Sequence, residues 1–192
     1  MRAVLFDLDS TVVELGVLYQ DVTTRLGGSS SPQGGFNGVP PTAWGPLLAE
    51  YSGMPSDGLS QRVLDLIEEG LPDFCRPTPR IRRCFEQLMA RNCMIGIVTN
   101  NCERIAVQIL SYAGLRPMCS TIVCAEDGHL KPSAEPWALA ASRLGFSPRE
   151  CLAVDDRPNN LEAPARLGMA TCCMSFEQLQ FSTLLPWLEV IL

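Results

Sequence analysis

Short apolar runs bounded by polar turn residues recur along the chain at Arg2 to Phe6, Met94 to Val98, Thr121 to Cys124, Cys151 to Val154 and Met169 to Met174. Runs of this kind read as strands buried on both faces of a parallel sheet. Between them, apolar positions recur at helical spacing near Pro79 to Arg91, Glu103 to Ala113, Ala134 to Leu144, Asn159 to Leu167 and, after the last run, Phe176 to Leu188. Strand alternating with helix predicts an open α/β sheet.

The first and second apolar runs are separated by about ninety residues, far more than one crossover helix requires. The outer parts of this insert, Val12 to Leu26 and Leu59 to Glu69, have helical patterning, whereas Gly27 to Pro46 is rich in Gly, Ser and Pro and is expected to be a loop. The predicted organisation is an α/β core of residues 1–13 and 75–192 with a small helical cap over residues 14–74.

At 192 residues there is room for one domain with such an insert, and 46% hydrophobic with 19% charged residues is ordinary globular composition. The formal charge of −6 and the lack of a Lys/Arg cluster argue against nucleic acid as a main partner. No apolar run approaches a membrane span, and the opening residues do not resemble a signal peptide, so a cytoplasmic protein is expected. Nine cysteines, an odd number with no Cys-x-x-Cys pair, read as reduced core hydrophobes rather than a zinc site or disulfide framework; the vicinal Cys172-Cys173 pair leaves a redox role open.

Candidate chemistry gathers where the apolar runs end. Asp7-Leu8-Asp9-Ser10-Thr11 places two carboxylates after the first strand, at the sheet edge where ligands of open α/β folds bind. Ile97-Val98-Thr99-Asn100-Asn101 offers a hydroxyl and free N–H groups, suited either to an anion or to capping a helix. Lys131-Pro132 follows the third strand, where a lysine alone is more often a solvated group. Asp155-Asp156 closes the fourth apolar run, and adjacent acids at a buried strand end call for a cation. Four strand ends on one edge thus supply two carboxylate pairs, a hydroxyl and an ammonium.

In this order the motifs resemble those of the haloacid dehalogenase superfamily, helical-cap type, and especially its glucose-1-phosphatase-like and phosphoglycolate-phosphatase-like members. The resemblance implies a Rossmann-like parallel sheet of five core strands in the order 3-2-1-4-5, and a Mg²⁺-dependent phosphatase acting on a small phosphorylated metabolite. It further implies Asp7 as nucleophile, Asp9 as general acid and base, and Thr99, Asn100 and Lys131 as ligands of the phosphoryl oxygens. Mg²⁺ would be held by Asp7, the Asp9 backbone and Asp156, with Asp155 nearby and Asn160 where relatives often place a further acid. Haloacid dehalogenases proper lack the second acid of the first motif, so Asp9 disfavours dehalogenation. A phosphomutase of the beta-phosphoglucomutase type shares all four motifs and stays open, as does a non-catalytic binding protein on the same fold. Monomer and homodimer are both compatible.

Other conspicuous residues receive plainer readings. His129 is expected to be an exposed turn residue, Trp137 and Trp187 packing residues, and Arg157 a solvated residue at a helix start. Tyr19, Trp44 and Tyr51 are expected to build the interior of the cap rather than to contact substrate.

Overall fold

The computed structural model describes residues 2–26, 39–52 and 57–191. Five parallel strands form one sheet: β1 (Arg2–Phe6), β2 (Cys93–Val98), β3 (Thr121–Val123), β4 (Cys151–Asp155) and β5 (Ala170–Cys173), in the spatial order β3-β2-β1-β4-β5. The central strand β1 pairs with β2 on one side, Val4 opposite Ile95, and with β4 on the other, Val4 opposite Leu152. Successive side chains of a strand face opposite ways, and both faces are covered. Val4 and Phe6 join an apolar cluster with helices α4 (Pro79–Met89), α5 (Glu103–Tyr112) and α8 (Phe181–Ile191). Ala3 and Leu5 join a second cluster with α6 (Glu135–Leu144) and α7 (Pro158–Arg166). Burial on both faces is why these strands read as continuous apolar runs rather than alternating ones.

Among the described residues of the long insert lie three α-helices: α1 (Gly16–Arg25), α2 (Trp44–Ser52) and α3 (Leu59–Phe74). Their buried residues Leu18, Val22, Trp44, Leu48, Val63 and Ile67 belong to the same cluster as Phe6 and Phe85, so apolar packing runs without a break from the sheet into the insert. Phe6 and Phe85 stack with centroids 5.1 Å apart at the heart of that cluster.

Two expected boundaries are corrected. Residues 41–46, expected within a Gly/Ser/Pro loop, instead form a short 3-10 turn (Pro41–Ala43) and the first turn of α2, while residues 27–38 of that loop lie outside the described residues. Gly45 and Pro46 both fall in the first helical turn, where a missing N–H costs nothing and loop-like residues are tolerated. The last helix begins at Phe181 rather than Phe176, because the Arg80 guanidinium takes the backbone carbonyls of Phe176 and Leu179 and ties that stretch into a strap. In the same region Trp187, expected to be packed away, is 39% exposed, whereas Trp137 is fully buried. His129 is exposed, and eight of the nine cysteines are buried, with only Cys173 exposed.

Candidate active site

The sheet hydrogen bonding continues one residue past the strands, with Asp7 N–H donating to Val154 O at 2.8 Å and Thr99 N–H to Val123 O at 2.9 Å. The first polar side chain after each central strand is thereby fixed by the rigid ladder at the carboxyl edge. From there the chain turns sharply: Val12 and Val13 N–H both donate to Leu8 O, and Ser10 N–H donates to Val13 O. This tight turn projects Asp9 beside Asp7.

Lys131 enters from the loop after β3 and is held by reciprocal hydrogen bonds with Asn100, whose Oδ1 accepts from Lys131 N–H at 2.8 Å and whose Nδ2 donates to Lys131 O at 3.1 Å. Its ammonium bridges Asp7 Oδ1 and Asp155 Oδ2, the latter at 2.8 Å, and lies 5.6 Å from the Trp137 ring centroid. Thr11 Oγ1 donates to the other Asp7 oxygen at 3.2 Å. Asp155 is completely buried and also accepts from Arg157 N–H at 2.9 Å and from Asn160 Nδ2 at 3.0 and 3.1 Å. Asn160, read from sequence as standing in for an outer acid, thus braces Asp155. Asp156 next to it is half buried.

One carboxylate oxygen from each of Asp7, Asp155 and Asp156 lies within 4.8 Å of the others. Lys131 pairs with two of these acids, Asp7 and Asp155, so the cluster holds more carboxylates than its ammonium pairs with. Burial, reinforced by the charge of Asp155, pushes the Asp7 carboxyl up to about 7 against the pull of Lys131. Burial and Asp155 likewise raise Asp156. Burial alone would lower Lys131, but Asp7 and Asp155 together hold it above its ordinary value and keep it cationic. A cluster of hard oxygen donors with more negative charge than the protein itself compensates fits a divalent cation such as Mg²⁺.

Asp9 has a different environment. Tyr19 Oη donates to its Oδ1 at 2.7 Å, and Asn101 Nδ2 donates to its Oδ2. Burial raises its carboxyl to about 6, with the Tyr19 hydroxyl and Lys131 opposing the rise. The side chain of Asp9 is therefore engaged away from the three-acid cluster, and Asp7 and Asp9, two residues apart, have separate partners. Thr99 is buried, and its Oγ1 accepts from Asn101 N–H at 3.1 Å.

The structure brings Asp7, Thr99, Asn100, Lys131, Asp155 and Asp156 to one edge of the sheet, with Asp9 beside them. It adds two residues that the motifs do not single out for this position. Asn101 was hidden behind its neighbour Asn100, the second of two identical amides. Tyr19, read as interior of the insert, reaches Asp9 from α1; only its place in the first turns after the motif hinted at this. Trp44 stays in the interior, edge-on to Tyr19, and the Tyr51 side chain lies outside the described residues.

Comparison with known proteins places the chain in a family. A family model described as haloacid dehalogenase-like hydrolase covers residues 1–168. Pyrophosphatase PpaX from Oceanobacillus iheyensis is 25% identical over 186 residues, 92% of this chain and 84% of its own length. Phosphoglycolate phosphatase from Aquifex aeolicus is 24% identical over 200 residues, 97% of this chain and 90% of its own. The crystal structure of beta-phosphoglucomutase from Clostridium difficile superposes with a TM-score of 0.77 at 15% identity, covering 97% of this chain and 96% of that one. With nearly the whole chain matched and its four strand-end motifs meeting at one edge, this protein belongs to the haloacid dehalogenase-like hydrolase family.

Proposed function

We propose that this chain is a divalent-cation-dependent phosphatase of small phosphorylated metabolites, with residues 1–13 and 75–192 as its catalytic core and residues 14–74 as a cap that shapes access to it. The observation that supports this most is the division of labour between the two acids of the first motif. Asp7 lies with Lys131, Asp155 and Asp156 in a cluster suited to a cation and a phosphoryl group, whereas the Asp9 carboxyl is held outside that cluster by Tyr19 and Asn101.

In this reading the Asp7 carboxylate attacks phosphorus, and the bond to the ester oxygen breaks as Asp9 delivers its proton to that oxygen. Asp9, now ionised, takes a proton from water as the water oxygen attacks the aspartyl-phosphate; the P–O bond to Asp7 breaks and both acids return to their starting states. Lys131, the Thr99 hydroxyl and the Asn100 N–H hold the equatorial phosphoryl oxygens through a loose transition state. Mg²⁺ bound by Asp7, Asp156 and the Asp9 carbonyl, with Asp155 behind them, would neutralise phosphoryl charge and relieve the repulsion between the acids. Lys131 opposes the rise in the proton affinity of Asp7 and orients its carboxylate toward an anionic substrate.

Phosphate release from a panel of 2-phosphoglycolate, hexose 1- and 6-phosphates, nucleoside monophosphates and inorganic pyrophosphate, with Mg²⁺ and with a chelator, tests the reading. The expected result is Mg²⁺-dependent release from at least one compound, reduced by at least about a thousandfold in Asp7→Asn. Metal-independent background throughout, or an Asp7→Asn variant as active as the parent, overturns it. Conversion of β-glucose 1-phosphate to glucose 6-phosphate without release of phosphate would instead identify a mutase.

A further inference from the structure

Tyr19 lies on α1, in the insert, yet its closest polar partner belongs to the catalytic edge. Its hydroxyl donates to Asp9 Oδ1 at 2.7 Å, Asn101 Nδ2 donates to Asp9 Oδ2, and the same amide nitrogen lies 3.4 Å from the Tyr19 oxygen. One donor comes from the insert and the other from the loop after β2, so the Asp9 carboxyl is gripped from both sides. Two donors on two different oxygens fix the plane of a carboxyl group, which a single hydrogen bond leaves free to turn. Each oxygen keeps a second lone-pair position, which can carry the proton that Asp9 donates to the oxygen of a departing group.

The tyrosine is itself held in place. Its ring meets Trp44 edge to face, with centroids 5.1 Å apart and planes at 82°. Trp44 is buried, and its Nε1 donates to Val39 O at 3.0 Å. Beside it and one turn on, Leu18 and Val22 of α1 are fully buried in the cluster that contains Phe6 and Leu8, the residues flanking Asp7. Farther out, Glu68 of α3 pairs with Arg104 of α5 and accepts from Gln108 at 2.9 Å, fastening the insert to the core.

We propose that Tyr19 is a positioning residue for proton transfer, which together with Asn101 aims the Asp9 carboxyl at the leaving-group oxygen and makes that aim depend on how α1 is seated. This rests on the phosphatase reading, in which Asp9 carries the proton. An alkyl phosphate must lose an alkoxide and needs that proton as the bond breaks. Acetyl phosphate loses acetate, a stable anion, and does not.

The test compares kcat/KM, which covers the steps through departure of the first product, for acetyl phosphate and for the alkyl phosphate turned over best in the metabolite panel. Tyr19→Phe keeps the ring against Trp44 and removes only the hydroxyl. The expected loss is about tenfold on the alkyl phosphate and about twofold on acetyl phosphate, since positioned general acids contribute about 10²–10⁴ in all and only part of that is at stake. Asn101→Ala removes the other donor and should discriminate between the two substrates in the same sense. Equal losses on both substrates, or no loss on the alkyl phosphate, overturn the role of Tyr19 while leaving the phosphatase reading intact. A wild-type chain that releases phosphate from neither substrate overturns that reading and this proposal with it.

Discussion

Ser10 follows Asp9 in a left-handed backbone conformation, with φ of 62°. The tight turn demands it: Ser10 N–H donates to Val13 O at 2.7 Å, and its carbonyl accepts from Phe176 N–H at 2.6 Å. A left-handed position costs a residue with a Cβ about 1–2 kcal/mol, while glycine occupies it freely but loses about 0.5–1 kcal/mol of chain entropy on folding. The two effects leave Ser10→Gly ahead by about 0.5 kcal/mol. Thermal melts should therefore place Ser10→Gly level with the parent or slightly above it and Ser10→Val, whose branched Cβ suits this region least, well below. A Ser10→Gly protein that melts several degrees below the parent would show that the side chain, not the backbone, matters at this position.

The elements divide by how much of their environment is local. All five strands were legible, because burial on both faces leaves an uninterrupted apolar run, and their carboxyl ends gave Asp7, Thr99, Lys131 and Asp155-Asp156 as one group. The contact of Tyr19 with Asp9 was not legible, since it depends on how α1 packs across the sheet edge. Helix α2 was missed for a related reason: Gly45 and Pro46 weaken a helix when read locally, and what favours them is the neighbouring helix. A Cβ on Gly45 would lie 2.5 Å from Ser60 N and 2.9 Å from Ser60 Cα at the start of α3, backbone that cannot step aside. Gly45→Ala should then separate α2 from α3 at a cost of about 1–3 kcal/mol, as overpacking does. Hydrogen exchange should show faster exchange in Trp44–Ser52 with β1 and β4 protected as before. Uniform behaviour of insert and sheet would mean that the helix contact is not tight in solution.

At the scale of the molecule, the edge of the sheet is stabilised by packing around a site that is electrostatically unfavourable on its own. Three carboxylates lie together, two of them on one ammonium, in a chain whose formal charge is already −6. Burial raises Asp7 to about 7 and Asp9 to about 6 from the ordinary 3.8. Between about pH 4 and 7 the folded protein therefore binds protons that the unfolded chain has released, and stability must fall as pH rises through that window. Carboxylates lowered by their partners, such as Asp127 beside Arg143, act in the opposite sense only at lower pH. Chelated protein should melt at a lower temperature at pH 8 than at pH 5. A divalent cation competes with protons for the same oxygens, so Mg²⁺ should raise the melting temperature more at pH 8 than at pH 5, by about 2–4 °C for each kcal/mol of binding free energy in a chain of this size. Asp156→Asn removes one of the repelling charges with little change of shape; it should raise the melting temperature of chelated protein at pH 8 and lose most of the Mg²⁺ increment. An increment independent of pH, or one that survives in Asp156→Asn, would place the cation somewhere other than among these three acids.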